Sequence, residues 1–516
     1  MIIPLKLLYQ TSVALSLFTF ISLLPAVISP AEAKEKPPVV VTLEGIRGDL
    51  LKNVRAYLSL ERPPPSVSEE TVRRLYRQAP EEIKKALQAI GYYHPQIRSE
   101  LTRRGEQWEA RFAIEPGPAV HIQTVDVKII GEGEADPVFQ SLRERMPLKP
   151  GAVLNHGHYE ETKKTLQSLA AERGYFDAAF TASALQINVE ENRAAILLHF
   201  DTGRRYRMGK VAFNQNEFDS DFLSRFVAFN RGEPYHTHHL LGLQNALVGS
   251  DYFAAVDVRA PADQAEGDQV PVEVTLTAKR KFQLSAGLGY GTDTGPRVKL
   301  GWENRQVNLK GHRFRSELEI SFIEQNATAT YEIPLARPPA DKLQLQAGWK
   351  RLDTLTIESK LLTAGVARTK GRAGGWLETR SLNYQAEQFE VGDQKGDSRL
   401  LLPGISWART LADRQMFPRR GSRLSFGVKG TTEWIGSDID LIQTQAQGKM
   451  IRPFGEKGRV ILRGEFGWSQ VSDFKKLPAS LRFFAGGDRS VRGYAYQSLG
   501  PEDETGEVIG RREVKP

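Results

Sequence analysis

After Lys281 the chain changes period. Phe282, Leu284, Ala286, Leu288 and Tyr290 alternate with Gln283, Ser285, Gly287 and Gly289, and the pattern returns in segment after segment. Val298, Leu300 and Trp302 alternate with Arg297, Lys299 and Glu303, and Phe314, Leu318, Ile320 and Phe322 with Arg315, Glu317 and Glu319. Leu343, Leu345, Ala347 and Trp349 repeat it, as do Leu424, Phe426 and Val428, then Val460, Leu462, Phe466 and Trp468. A period of two sends successive side chains to opposite faces, so each segment is a strand with one apolar and one polar face. A soluble sandwich alternates too, but it needs bulk water on its polar face and a second sheet over its core. Many successive strands of one pattern, with tryptophan and tyrosine near strand ends, favour an apolar-out, polar-in membrane barrel instead. In lipid every backbone group needs an internal partner, and a closed antiparallel sheet supplies one.

Average composition hides such a barrel, because half-polar strands never give long apolar runs. Charged residues make up 26% and mean hydropathy is −0.40, values of a soluble protein. Lys and Arg number 70 against 62 Asp and Glu, a formal charge of +8. That excess is spread along the chain rather than blocked, which argues against nucleic acid as a partner. The absence of cysteine excludes disulfide scaffolds and thiolate metal sites. At the N-terminus, Lys6 precedes a mostly apolar run from Leu7 to Val27, and Ala31-Glu32-Ala33 offers a small-x-small cleavage site. This predicts a secretory signal peptide over residues 1–33 and an exported mature protein without a spanning helix.

Ahead of the strands, one pattern appears three times between Val39 and Lys279, with a period of about eighty residues. In the first unit Pro80 is expected to open a helix with Ile83, Leu87 and Ile90 on one face, followed by Gly91-Tyr92-Tyr93. In the second, Tyr159, Leu166 and Leu169 lie on a helix ending at Gly174-Tyr175-Phe176. In the third, Thr237 is expected to cap a helix bearing Leu240, Leu243 and Leu247, ending at Ser250-Asp251-Tyr252-Phe253. Gly91 and Gly174 sit where a left-handed C-cap residue belongs. Strands such as Phe112-Ala113-Ile114, Leu198-His199-Phe200 and Val272–Leu276 flank the helices, which predicts small two-layer α+β domains. The paired aromatics read as core anchors, and the short mixed sheets leave edges that could add an unfolded client strand.

Near the end, Phe483-Phe484-Ala485-Gly486-Gly487-Asp488-Arg489-Ser490-Val491-Arg492-Gly493-Tyr494 is too polar and glycine-rich for another strand. It fits an ordered loop whose arginine is held by a bidentate acceptor, or a surface turn with a solvated arginine.

The repeats, the strand meander and this loop together resemble the POTRA-plus-barrel family of outer-membrane assembly proteins. The likeness is most specific at Arg492-Gly493-Tyr494, at Gly301-Trp302-Glu303-Asn304-Arg305 with Asn308-Leu309-Lys310-Gly311, and at Phe417-Pro418-Arg419-Arg420-Gly421. Three repeats are most similar to the outer-membrane subunits of the translocation and assembly module. The resemblance implies three POTRA domains (39–118, 119–205 and 206–278) in the periplasm and an outer-membrane barrel over 279–516. It implies that the arginine loop, 482–500, folds into the barrel lumen, with Arg492 as anchor and Val491, Gly493 and Tyr494 as shape-setting neighbours. It also implies a TamB-like inner-membrane-anchored partner and unfolded outer-membrane proteins as clients. Such barrels close with an even number of strands, about sixteen, whereas only about eleven fit between Lys281 and Ser480. The expectation is therefore a C-terminally truncated barrel, lacking its closing strands and the wall that would hold Arg492.

The expected function is non-enzymatic: insertion and folding of β-barrel proteins such as autotransporters, by strand templating at a lateral gate. Phe282, Leu284, Ala286, Leu288 and Tyr290 mark the gate strand. The alternative is a two-partner-type secretion pore that passes an exported client through the barrel. His156 with His158, and His236 with His238 and His239, lack a completing carboxylate cluster and read as structural rather than metal-binding. No G-x-S-x-G elbow, P-loop or H-E-x-x-H is present, and no cofactor is implied. Gly287, Gly289 and Gly291 alternate within a strand with no helix after it, which suits a weakened gate strand rather than a dinucleotide loop.

Overall fold

A computed structural model describes residues 39–62, 68–105, 107–291, 295–354, 356–414, 416–455, 458–487, 491, 493–504, 506, 508–511 and 513–514. The expected signal segment lies outside the described residues. The fold divides into two compact units, one comprising residues up to 168 with 179–201, the other 169–178 with 202 onward.

The first unit holds two α+β modules of one design. In the first, β1 (Val39–Glu44) leads through α1 (Gly48–Tyr57) and α2 (Glu69–Gln88) to the hairpin of β2 (Gln96–Arg104) and β3 (Gln107–Glu115). The sheet order is β1-β3-β2, with β1 parallel and β2 antiparallel to β3. A parallel pair requires a long crossover, and the helices supply it while covering one face. Trp108, Ala110, Phe112 and Ile114 of β3 share a core with Val72, Leu75, Ala79, Ile83 and Leu87 of α2. The second module repeats the order with β4 (His121–Ile130), α3 (Pro137–Arg145), α4 (His156–Arg173), β5 (Ala179–Asn188) and β6 (Arg193–Asp201), its sheet running β4-β6-β5.

Helix α2 corrects the expectation that Pro80 opens it. The helix begins after Ser68, whose hydroxyl accepts the Thr71 N–H at 3.3 Å, and Pro80 lies inside it. An interior proline costs a helix about 3 kcal/mol. The buried stripe of Val72, Leu75, Ala79, Ile83 and Leu87 runs past it on both sides, so burial keeps the helix continuous.

The second unit contains a third module and the large sheet. The module comprises β7 (Arg207–Asn214), α5 (Ser220–Ser224), α6 (Thr237–Gly249), β8 (Phe253–Arg259) and β9 (Gln269–Ala278), with sheet order β7-β9-β8. His236, not Thr237, caps α6: its Nδ1 accepts the His238 N–H at 3.2 Å. The Thr237 hydroxyl instead donates to the Glu172 carbonyl at 3.3 Å. After the main helix of each module, one residue turns left-handed: Gly91 at φ +90°, Gly174 at +81° and Asp251 at +64°. Glycine reaches that region without strain, whereas aspartate does so only with local support.

The sheet runs in chain order: β10 (Phe282–Gly291), β11 (Gly295–Asn304), β12 (Arg313–Ser321), β13 (Glu324–Pro334), β14 (Lys342–Asp353) and β15 (Ile357–Arg372). It continues with β16 (Trp376–Val391), β17 (Gln394–Ala412), β18 (Gly421–Thr431), β19 (Leu441–Phe454), β20 (Gly458–Val471) and the two-residue β21 (Glu513–Val514). Among the described residues it is a 12-stranded sheet with β10 at one edge and β21 at the other, and it does not close. The strands from β10 to β20 match the number read between Lys281 and Ser480.

Residues paired directly across antiparallel strands share a face. The pairs Leu284↔Trp302, Leu300↔Leu318, Leu345↔Val366, Trp349↔Leu362 and Trp407↔Phe426 therefore build one apolar surface. Trp302, Trp349 and Trp468 are exposed on it, and among the described residues no second sheet packs over them. The opposite face carries ion pairs, Lys299 with Glu317 at 2.8 Å, Arg315 with Glu303 at 2.9 Å and Lys342 with Glu332 at 2.8 Å. No helix among the described residues is long and apolar enough to cross a membrane.

Candidate functional site

Three features of the second unit converge on function, and the first is the free edge of β10. Among the described residues this ten-residue strand pairs only with β11, from Phe282↔Asn304 to Gly291↔Gly295, and its other side presents unpaired backbone groups. Leu284, Leu288 and Tyr290 are 80%, 88% and 75% exposed on the apolar face, and Phe282 is also exposed there. Ala286 lies between Leu284 and Leu288 on that face, opposite Leu300. The glycines have a concrete use at Gly289, where an added Cβ would lie 2.9 Å from the Arg297 guanidinium.

The second feature is the segment after β20, which folds back on the polar face. Arg492 lies outside the described residues. Of its neighbours, Val491 and Tyr494 are exposed, Gly493 is left-handed at φ +101°, and the Tyr494 carbonyl accepts the Gly487 N–H at 3.0 Å. The arginine that the fold buries is Arg482, which is 5% exposed. Its Nε donates to the Leu477 carbonyl at 2.8 Å, Nη1 to Gln394 Oε1 at 2.9 Å and to the Ile509 carbonyl at 3.0 Å, and Nη2 to the Phe474 and Lys475 carbonyls at 3.3 Å. All five guanidinium N–H groups are thereby used. The group also lies over the rings of Phe474 (4.7 Å) and Phe389 (5.4 Å).

Beside it, the buried Glu387 carboxylate accepts from Ser359 Oγ at 2.8 Å, from Gln385 Nε2 at 3.0 Å, and from the backbone N–H and hydroxyl of Ser480. Gln443 Nε2 donates to the Leu481 carbonyl at 2.8 Å. Side chains of β16, β17 and β19 thus hold residues 480–482 in place, with Ser359 of β15 supporting Glu387. Sequence reasoning includes residue 482 in the arginine loop but makes Arg492 its anchor and gives Arg482 no role. The signal was an arginine between Leu481 and Phe483, an apolar setting in which the group needs fixed acceptors.

The third feature is the turn between β11 and β12, which docks on the third module. Phe218, Phe222, Tyr252 and Phe253 form an aromatic box with centroids 5.3–5.4 Å apart in the T-shaped pairs Phe218–Tyr252, Phe218–Phe253 and Phe222–Tyr252. Gly311 closes on it at φ +75°, and a Cβ there would lie 2.4 Å from the Phe222 ring. The Tyr252 hydroxyl donates to the Gly311 carbonyl, the Asp219 N–H to the Leu309 carbonyl at 2.9 Å, and the Arg313 guanidinium stacks 3.6 Å over the Tyr252 ring. Burial pushes the Tyr252 phenol up to about 12, against a smaller opposing effect of Arg313. Asp251, the left-handed residue, binds Lys279 Nζ and Arg305 Nε (3.4 Å), and Arg305 also donates to Gln283 of β10. Burial raises the Asp251 carboxyl, but Lys279, Arg305 and Arg313 outweigh it and hold the group below the ordinary carboxylate range. A chain of polar contacts therefore runs from the third module through Arg305 to the edge strand.

Three of the five singled-out histidines have polar side-chain partners. His156 meets the Tyr93 hydroxyl at 2.5 Å, and His236 and His239 lie 3.7 and 3.5 Å from Glu172 and Glu233. Among the described residues no group of three or more His, Asp or Glu is placed to hold a metal ion.

Comparison with known proteins agrees with this architecture. Residues 40–116 match a family described as POTRA domain TamA domain 1, residues 126–203 a POTRA family described as surface antigen variable number repeat, and residues 266–513 the Omp85 superfamily domain. The chain is 23% identical over 416 residues to the outer membrane protein assembly factor BamA of Neisseria meningitidis serogroup B, covering 74% of this chain and 52% of that protein. It is 22% identical over 412 residues to BamA of Neorickettsia risticii, covering 74% and 53%. The chain thus spans about half the length of these curated relatives. The fold is similar to the crystal structure of Haemophilus ducreyi BamA lacking POTRA domains 1–3, with a TM-score of 0.60 at 18% identity over 76% of this chain and 81% of that one. The third module has the same order of elements and the same sheet topology as the first two. The chain thus carries, in order, two regions that match POTRA families, a third module of the same topology, and a region that matches the Omp85 superfamily domain.

Proposed function

We propose that this chain is a TamA-type assembly factor of the outer membrane, which helps β-barrel proteins such as autotransporters insert and fold. In this reading the modules 39–118, 119–205 and 206–278 lie in the periplasm and receive exported clients, in concert with a TamB-like inner-membrane-anchored partner. The sheet lies in the bilayer with its apolar face toward lipid. β10 is the gate strand: its free edge offers backbone donors and acceptors to a client strand, which adds by β-augmentation. No nucleotide is needed, because pairing the client's backbone groups and burying its apolar surface in lipid drive the reaction. The loop motif Val491, Arg492, Gly493 and Tyr494 belongs to a segment that, on this proposal, rests in the lumen and keeps the inner wall ordered.

The observation that carries the proposal is the edge of β10, unpaired among the described residues, in a sheet whose apolar face is exposed. The chain has no cysteine, so single cysteines can be placed along β10 at Gln283, Ser285 and Gly287 and paired with cysteines in the terminal strand of a client barrel. Disulfides are expected in a ladder with a fixed register, and none from control positions on β13. A client that crosslinks equally to β10 and β13 would exclude templating at this edge.

A further inference from the structure

The apolar face ends in opposite ways at its two ends on β14 to β17. At the end shared with the β11–β12 turn, cross-strand pairing puts Arg368 beside Arg380, Lys370 beside Glu378, and Arg372 and Arg409 on either side of Trp376. Five cations stand there with two carboxylates, Glu378 and, from the β13–β14 turn, Asp341. Arg372 binds Glu378 through two bonds of 3.0 and 2.7 Å, Arg380 shares the same carboxylate at 3.0 Å, and Arg368 lies 3.4 Å from Asp341. Arg409 stacks 5.9 Å over Trp376, and its Nε is buried with no hydrogen-bond partner. Lys370 is exposed. At the far end of the same strands the charges cancel: Lys395 pairs with Glu390 at 2.8 Å, Arg351 lies 4.0 Å from Glu358, and Lys360 and Arg399 are balanced by Asp353 and Asp397. Between the two ends the face is apolar, with Leu345, Leu362, Val366, Leu382 and Tyr384.

An excess of cations directly below an apolar band, beside an indole, has the chemistry of a membrane interface that meets anionic headgroups. We propose that the rim formed by Lys370, Arg372, Arg380, Arg409 and Trp376 binds the phosphate headgroups of an anionic phospholipid leaflet. It would fix the depth of the sheet on its module side. The Glu378 carboxylate braces both Arg372 and Arg380, and Lys370 and Arg409 complete the cationic surface. The proposal rests on the reading that this sheet lies in a bilayer.

The test is insertion of the full chain into neutral phosphatidylcholine vesicles and into vesicles that also contain phosphatidylglycerol, at low salt. The variant Lys370→Gln with Arg409→Gln removes two cations and leaves both Glu378 pairs intact. Wild type is expected to insert faster into anionic vesicles, and the variant to lose about tenfold of that preference while inserting normally into neutral ones. Lys360→Gln with Lys395→Gln, at the balanced end, is expected to keep the preference. A rim variant with the full wild-type preference, or a balanced-end variant that loses as much, would overturn the headgroup site while leaving the bilayer reading standing. Wild-type chain that enters neither vesicle would overturn both.

Discussion

Arg482 donates every N–H group to an acceptor fixed by the fold, four of them backbone carbonyls. Lysine at that position keeps the charge but offers one nitrogen in place of three, so several buried carbonyls lose their donor. Each unsatisfied buried carbonyl costs about 1–3 kcal/mol. Arg482→Lys is therefore expected to accelerate amide exchange across residues 477–485 by about a hundredfold and leave β12 to β14 unchanged; equal protection in both proteins would show that the guanidinium does not hold the segment. Arg492 is conspicuous in sequence because glycine and valine isolate it, whereas Arg482 sits among leucine and phenylalanine and looks like an ordinary strand-end charge. Its importance comes from carbonyls 5 to 27 residues away in the chain, which no local pattern displays. Asp251 is similar: it takes the left-handed place that Gly91 and Gly174 hold in the other modules, and the ion pairs with Lys279 and Arg305 that support it are long-range.

Among the elements, the docked β11–β12 turn makes the sharpest prediction. Gly311→Ala would drive a Cβ into the Phe222 ring at a left-handed φ, two penalties that together cost about 2–4 kcal/mol. The turn is expected to leave the aromatic box, read as loss of exchange protection at Asp219 and at Gly311 with the modules still folded. Retained protection at both sites would mean that the box tolerates the methyl group and does not clamp the turn. β10, β11, β12, β14, β18 and β20 were legible as strands because a period of two survives any tertiary context in which one face stays apolar. Helix α2 was legible as a helix but not in extent. Its register depends on burial against β3, and that outweighs the local veto of Pro80. The cap of α6 shows the same limit, since the Glu172 carbonyl engages Thr237 and leaves His236 to cap.

At the scale of the whole molecule, one property organises everything else: from β10 to β20 one face of the sheet is apolar and the other bears ion pairs, while the modules ahead of it bury their apolar groups in cores of their own. The POTRA series and the strand meander were readable because both recur, and repetition separates pattern from accident. The free edge of β10 was readable only as a strand, because edges are properties of pairing. The account stands on the claim that the apolar face meets lipid. The absence of cysteine permits a direct measurement, spin labels placed singly at residues 361–366 of β15 in the full chain reconstituted in vesicles, with accessibility to oxygen compared with that to a polar nickel reagent. Labels at Leu362, Ala364 and Val366 are predicted to favour oxygen as lipid-facing sites do, and those at Leu361, Thr363 and Gly365 are not, giving a period of two. Equal access of the polar reagent to all six positions, with no alternation, would contradict the account.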